Sequence, residues 1–126
     1  NKSYESQAYA ENNWEEFSQI KLENYLNEDK LILIDITADW CITCQVNKKT
    51  VLEDKDVLRF FKENDIVLMR ADWTFPSNKI LEFLKSHNKY GIPFNAFYSK
   101  NYKRGYLFKE LLFKDAFLKK MEDLIN

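Results

Sequence analysis

The sequence predicts an α/β chain with a central mixed β-sheet flanked by helices on both faces. Three observations carry that prediction. Two apolar runs, one from Leu31 to Thr37 and one from Ile66 to Ala71, read as strands buried on both faces, as parallel strands covered by helices must be. Each run is followed by apolar residues at helical spacing, which implies right-handed crossovers between parallel strands. Two shorter runs, Phe94–Tyr98 and Tyr106–Phe108, flank a polar turn and read as an antiparallel hairpin ahead of a final amphipathic stretch.

Residues 1–13 are polar without an apolar period and are expected to form a flexible leader or linker, leaving 14–126 as the folded domain. Trp14–Ser18 is expected as a short edge strand. Ile20, Leu22, Tyr25 and Leu26 suggest a short helix ending near Asn27-Glu28-Asp29. After the central strand Leu31–Thr37, a helix is expected from Cys41 to about Lys49, with Val46 and Thr50 on its inner side. Asp54 suits an N-cap for a second helical piece that turns Val57, Leu58, Phe60 and Phe61 to the core. Beyond Ile66–Ala71, a helix from about Asn78 carries Ile80, Leu81, Phe83 and Leu84 inward. Tyr90-Gly91-Ile92-Pro93 breaks that pattern, Asn101–Arg104 reads as the hairpin turn, and Lys114–Ile125 closes the chain with Phe117, Leu118, Met121, Leu124 and Ile125 apolar. The resulting order is β-α-β-α-β-α-β-β-α.

Bulk properties narrow the functional classes. At 126 residues with 45% hydrophobic side chains, the chain can bury a core without a disulfide framework and is not disordered. Lys plus Arg number 19 against 20 Asp plus Glu, so no basic excess exists to neutralise phosphates, and nucleic acid is excluded as the expected partner. No apolar run approaches the roughly 18 residues of a membrane helix, and no basic-then-apolar signal segment opens the sequence. The domain itself is expected to be soluble and a monomer. A start at Asn1 rather than Met suggests a processed form or an excised piece.

The chemistry concentrates at Leu31–Thr50. Its apolar strand leads to Ala38-Asp39-Trp40 and then to the two cysteines of the chain, Cys41 and Cys44, at the start of a helical pattern. A buried strand running into Cys-x-x-Cys at a helix start is a thioredoxin-like redox motif. Thiol–disulfide exchange requires an accessible thiolate and a second thiol that resolves the mixed disulfide. Cys41, at the first turn, meets the free amides and partial positive charge that favour a thiolate; Cys44, one turn on, is the more buried resolving partner. The competing readings are half of a zinc site or two ordinary buried cysteines. With no second Cys-x-x-Cys and His87 far along the chain, four zinc ligands are hard to assemble, which favours redox chemistry.

Asp35 lies within the buried run on the same strand face as Thr37. It reads either as a proton acceptor for Cys44 or as the partner of a buried cation such as a Lys; Cys41 six residues later favours the first. Ile92-Pro93 on pattern alone is a turn, but opposite such a site a cis bond there would present backbone groups to a substrate peptide. His87 is read as a helix-end residue favoured by the C-terminal dipole. The aromatic residues, 16% of the chain, are read as core, with Trp40 and Trp73 singled out as exceptions.

Thr37-Ala38-Asp39-Trp40-Cys41-Ile42-Thr43-Cys44, followed by Val46-Asn47, resembles the C-terminal thioredoxin-like domain of DsbD-type thiol:disulfide interchange proteins. Arg70-Ala71-Asp72-Trp73-Thr74, Gly91-Ile92-Pro93 and Glu110-Leu111-Leu112 fit the same family in the same order, so the likeness covers about Trp14 to Ile125. The resemblance implies a thioredoxin-like fold on the periplasmic side of the bacterial inner membrane, within a larger membrane protein. It further implies electrons taken from a membrane-embedded domain and passed to periplasmic thiol/disulfide proteins, including those of disulfide isomerisation and cytochrome c maturation. In that reading Cys41 attacks, Cys44 resolves, Asp35 is the buried acid and Pro93 the cis proline. No cofactor is implied beyond the redox-active Cys41–Cys44 disulfide, and no metal. The family usually carries Lys after the second cysteine and Glu three residues further; here these are Gln45 and Lys48. An ammonium at Lys48 favours thiolate where a carboxylate opposes it, so the cysteines are expected to titrate lower than in relatives with the Glu. Two other functions stand beside the relay: a free-standing thioredoxin-like reductase or isomerase, and a Cys-x-x-Cys metal-binding module, for instance for copper(I).

Overall fold

The structure, a computed structural model, describes residues 13–126; the leader expected at 1–13 lies outside the described residues but for Asn13. Among the described residues the elements run β1 (Trp14–Glu16), α1 (Gln19–Asn27), β2 (Leu31–Thr37), α2 (Ile42–Asn47), a π-helical turn (Lys48–Leu52), α3 (Lys55–Glu63), β3 (Ile66–Asp72), α4 (Asn78–Ser86), β4 (Phe94–Ser99), β5 (Tyr102–Leu107) and α5 (Lys114–Ile125). The described strands form one mixed sheet in the order β1-β3-β2-β4-β5. β1 and β2 pair parallel to β3, β4 pairs antiparallel to β2, and β5 antiparallel to β4.

β2 is central because every position from Ile32 to Thr37 is buried. Its alternation divides the core. Leu33, with Leu68 and Phe97, faces Val51, Leu52, Val57, Leu58 and Phe61 of the π turn and α3, together with Phe117, Met121 and Leu124 of α5. Ile32, Ile34 and Ile36 face Leu22 of α1 and Ile80, Phe83 and Leu84 of α4. Helices thus cover both faces, as the periodicity required.

Asp54 caps its helix as expected, and two serines do the same elsewhere. The side chains of Ser18, Asp54 and Ser77 accept backbone N–H bonds at the starts of α1, α3 and α4. With two glycines in the chain, α1, α3 and α4 are followed not by glycine but by Asp29, Asp65 and Asn88 in left-handed conformation, the residue types that tolerate it best.

Four expectations are corrected. Ser18 caps α1 rather than extending β1, and Ile20 is an exposed residue of α1, 70% accessible, rather than part of its buried stripe. Val46 and Thr50 point outward, because Cys41 as N-cap sets the helical phase so that Cys44 and Asn47 face in. The π turn then adds a residue, bringing Val51 and Leu52 inward while the Thr50 hydroxyl donates to the Val46 carbonyl at 2.9 Å. Finally, β5 begins at Tyr102, so Tyr102–Arg104 belong to the strand and the turn is tighter than expected. Gly105, at φ +86°, lets β5 lie against the Tyr98 ring, where a Cβ would stand 2.7 Å from ring carbons.

Candidate active site

Cys41 terminates the loop that leaves β2. Its backbone is extended (φ −91°, ψ 100°), making it the N-cap of α2, and its Sγ accepts the Cys44 N–H at 3.2 Å. Cys41 and Cys44 form a disulfide with Cα atoms 5.2 Å apart. The sulfur therefore occupies the place a serine or aspartate oxygen takes at other helix starts, where a free amide stabilises developing negative charge. Gln45 fixes the approach to the helix: its side-chain amide donates to the Ala38 carbonyl at 2.9 Å.

Ala38, Cys41 and Cys44 form a small buried cluster, and Ile92 packs against it. The Ile92–Pro93 bond is cis. Ile92, beside the cis bond, is thus brought against the two cysteines.

Trp40 is 60% exposed and Ile42 81%, so apolar surface borders the disulfide. Trp40 is nonetheless anchored, its indole N–H donating to the Thr74 carbonyl at 3.2 Å. The neighbouring Asp39 N–H donates to the Thr74 hydroxyl oxygen at 2.9 Å, and Trp73 N–H to the Thr37 carbonyl at 2.7 Å. Asp72 in turn accepts the Thr74 N–H at 2.9 Å, so the loop after β3 buttresses the loop that carries the cysteines. Trp73 itself packs on the α1/α4 layer; of the two tryptophans singled out in the sequence, Trp40 is the surface one.

Asp35 is 3% exposed, on the Leu33 face of the sheet over which the π turn continuing α2 packs. Its two oxygens have different partners: Arg70 Nε donates to Oδ2 at 2.8 Å and Asn95 Nδ2 to Oδ1 at 2.8 Å. The buried cation anticipated as a Lys is an arginine. Lys48 caps the C-terminal end of α2 and opens the π turn, half-buried, one helical turn beyond Cys44.

Three participants escaped sequence reading. Arg70 and Asn95 were hidden in strands, although an arginine inside an apolar run opposite an aspartate inside another was a usable signal. Asn47, 1% exposed, is the third: its Nδ2 donates to the Glu110 carbonyl at 2.7 Å and its Oδ1 accepts the Leu112 N–H at 3.0 Å, tying α2 to the segment before α5. His87 lies elsewhere, at the end of α4, with Nδ1 against the Phe83 carbonyl and Nε2 against the Tyr98 hydroxyl.

This arrangement supports two-electron dithiol/disulfide exchange. Comparison with known proteins agrees. Residues 13–100 match the family model described as thioredoxin-like. The chain is 31% identical over 88 residues to the thiol:disulfide interchange protein DsbD of Escherichia coli K12, covering 65% of this chain and 15% of that protein. It is 35% identical over 69 residues to DsbD of Yersinia enterocolitica, covering 55% and 12%. The chain thus spans about 15% of the length of the curated relatives it matches. Among solved structures, the oxidised C-terminal domain of DsbD from Neisseria meningitidis superposes with a TM-score of 0.69 at 21% identity, over 83% of this chain and 90% of that one. A thioredoxin from Thermus thermophilus gives 0.65 at 14% identity, over 90% and 88%; both likenesses show the fold. Among the described residues, no helix is long and apolar enough to cross a membrane.

Proposed function

The chain belongs to the thioredoxin-like family, and from that premise we propose that its Cys41–Cys44 pair relays electrons from a membrane-embedded dithiol donor to disulfide-bearing proteins on the periplasmic side of the inner membrane. The observation that carries the reading is the Cys44 amide directed at Cys41 Sγ at the start of α2. In the reduced protein that N–H stabilises a Cys41 thiolate, which attacks one sulfur of a partner disulfide. The partner S–S bond breaks, releasing one partner thiolate and leaving a Cys41–partner mixed disulfide. Cys44 then loses its proton, with Asp35 as the acceptor, and attacks Cys41 Sγ. The mixed disulfide breaks, the second partner sulfur leaves as a thiolate and takes up the proton that Asp35 accepted from Cys44, and the Cys41–Cys44 disulfide is restored; two electrons have passed to the partner. A donor dithiol resets the pair by the reverse steps.

Trp40, Ile92 and the cis Pro93 shape the surface on which a partner segment lies, and Lys48 favours the thiolate form from the turn beyond Cys44. Support for the DsbD-type relay over a free-standing reductase comes from the likeness to DsbD in sequence.

An equilibrium redox titration followed through Trp40 fluorescence tests the direction. A potential near or below about −270 mV, the thioredoxin value, is expected for a donor. One near about −120 mV would reverse the direction and make the protein a disulfide donor. A Cys44→Ala variant expressed in the periplasm is expected to accumulate mixed disulfides with both the membrane donor and its acceptors; trapping acceptors alone would favour the free-standing reductase.

A further inference from the structure

His87 takes no part in the exchange steps above, and a place at the end of α4 would by itself ask little of it. Its contacts are more exacting. Nδ1 faces two acceptors, the Phe83 carbonyl at 2.9 Å and the Ser86 hydroxyl oxygen at 3.0 Å, whose own proton goes to that carbonyl; Nδ1 therefore carries the ring proton. Nε2 is then an acceptor and takes the Tyr98 hydroxyl at 2.6 Å. The ring centre lies 4.6 Å from that of Phe83, 5.3 Å from Phe94 and 5.9 Å from Tyr98. One imidazole thus touches the helix it ends and two residues, four apart, on one face of β4.

Between these contacts runs the loop whose far end meets the disulfide. Residues 88–93 join α4 to β4: the chain turns at Asn88, φ +58°, passes Tyr90 and Gly91, and reaches the cis Ile92–Pro93 bond with Phe94 next. Tyr90 is 70% exposed, and nothing stands within 4 Å of where a Cβ of Gly91 would be, so the middle of the loop stands clear of the body. Its course is therefore set at its two ends and where Ile92 meets the cysteines. His87 holds both ends. It precedes the loop, its ring packs on Phe94, which follows the loop, and its Nε2 bond runs to the buried Tyr98 further along the same strand. An apolar side chain at this position would fill the space among the rings but leave the Tyr98 hydroxyl without this acceptor. We infer that His87 is a positioning residue for partner recognition: by bridging α4 to β4 it fixes the ends of the loop that carries cis Ile92–Pro93, and so sets where a partner segment lies against Cys41.

The inference rests on the reading that Ile92 and Pro93 shape the partner surface, but not on the direction of electron flow. The test compares two probes. Insulin is a protein disulfide, reduced at the expense of dithiothreitol; iodoacetamide alkylation of the reduced protein as a function of pH reads the thiols and needs no docked partner. In His87→Asn the shorter amide keeps the Phe83 bond and loses Tyr98, whereas in His87→Gln the longer one reaches Tyr98. Tyr98→Phe removes the same bond from the strand side. KM for insulin is expected to rise about three- to tenfold in His87→Asn and Tyr98→Phe with kcat little changed, and to return toward the parent in His87→Gln. The alkylation profile stays at that of the parent in all three. Chymotryptic cleavage of the native protein after Tyr90 rises in the first two relative to cleavage after Phe113, which is exposed on another loop. An unchanged KM in folded His87→Asn and Tyr98→Phe, equal impairment in His87→Gln, or cleavage rising alike at both sites overturns the inference. Should His87→Asn fail to fold, Tyr98→Phe still decides. Loss of partner trapping with these changes intact would sink the relay and leave the inference standing.

Discussion

Two polar constellations lie against the core, one on each face of the sheet, and they meet burial in opposite ways. Asp35 carries a charge and is satisfied by residues 35 and 60 positions away, in two other strands. His87 and Tyr98 form a neutral pair: the ring Nδ1 donates to the Phe83 carbonyl four residues back, and Nε2 accepts the Tyr98 hydroxyl at 2.6 Å, a tautomer fixed by those partners. Burial pushes the Tyr98 phenol well above its ordinary range, so it remains a donor at any working pH. Rings of Phe83 and Phe94 enclose the imidazole. The charged set shares its face with the disulfide helix; the neutral set lies on the other face and fastens α4 to β4. The ion pair ties three strands together, whereas the His87–Tyr98 pair ties a helix end to a strand.

The contrast can be broken by substitution. Asp35→Ala leaves a mostly buried guanidinium without its anion, and a loss of about 3 kcal/mol or more is expected in chemical denaturation. A smaller loss would mean that Arg70 turns out to water and that Asp35, Arg70 and Asn95 are not a unit. On the neutral side, Gly105→Ala drives a Cβ into the Tyr98 ring at a positive φ, with an expected cost of about 1–3 kcal/mol. Tyr98→Phe removes one hydrogen bond and strands His87 Nε2, costing about 1–2 kcal/mol. Its alkylation profile should match the parent; a shift would show that the neutral set also reaches the thiols.

The smallest effect belongs to a surface ion pair, useful as a reference for the buried one. Lys114 donates to Asp56 at 2.7 Å and also lies 3.2 Å from Asp54. The hydrogen bond from Lys114, aided by the positive charges of Lys114, Arg59 and Lys55, holds the Asp56 carboxyl below its ordinary value. A depressed folded-state value means that its stabilisation is complete above the ordinary carboxylate pKa of about 3.9 and fades as pH falls through the lower folded value. Thermal melts of Lys114→Gln should therefore trail the parent at neutral pH and converge with it in acid, and added salt should narrow the gap.

Much of the architecture was legible because burial leaves periodic marks. The two apolar runs located β2 and β3, and Cys41 at the end of the first located the reactive turn. What was not legible arose where side chains answer to distant strands rather than to their neighbours. Arg70 was absorbed into an apolar run, since its partner is set by strand register. Tyr102–Arg104 read as a turn because an edge strand outside the core carries exposed polar residues without penalty. The inward positions of α2 were misassigned because a π turn changes the phase of a helix without a distinctive composition. Asn47, polar and one turn from Cys44, gave no sign that it would be among the most buried residues of the chain.

That asparagine has a consequence for the order of assembly on the ribosome. Its two bonds reach 63 and 65 residues ahead, to a segment beyond the stretch that matches the family model. Synthesis proceeds from the N-terminus at about 5–20 residues per second, so the Cys-x-x-Cys helix emerges seconds before the backbone that fastens its far end. Until Glu110 and Leu112 clear the exit tunnel, Asn47 has neither of these partners. The nascent chain thus passes through an interval in which its thiols are made before this tie can form.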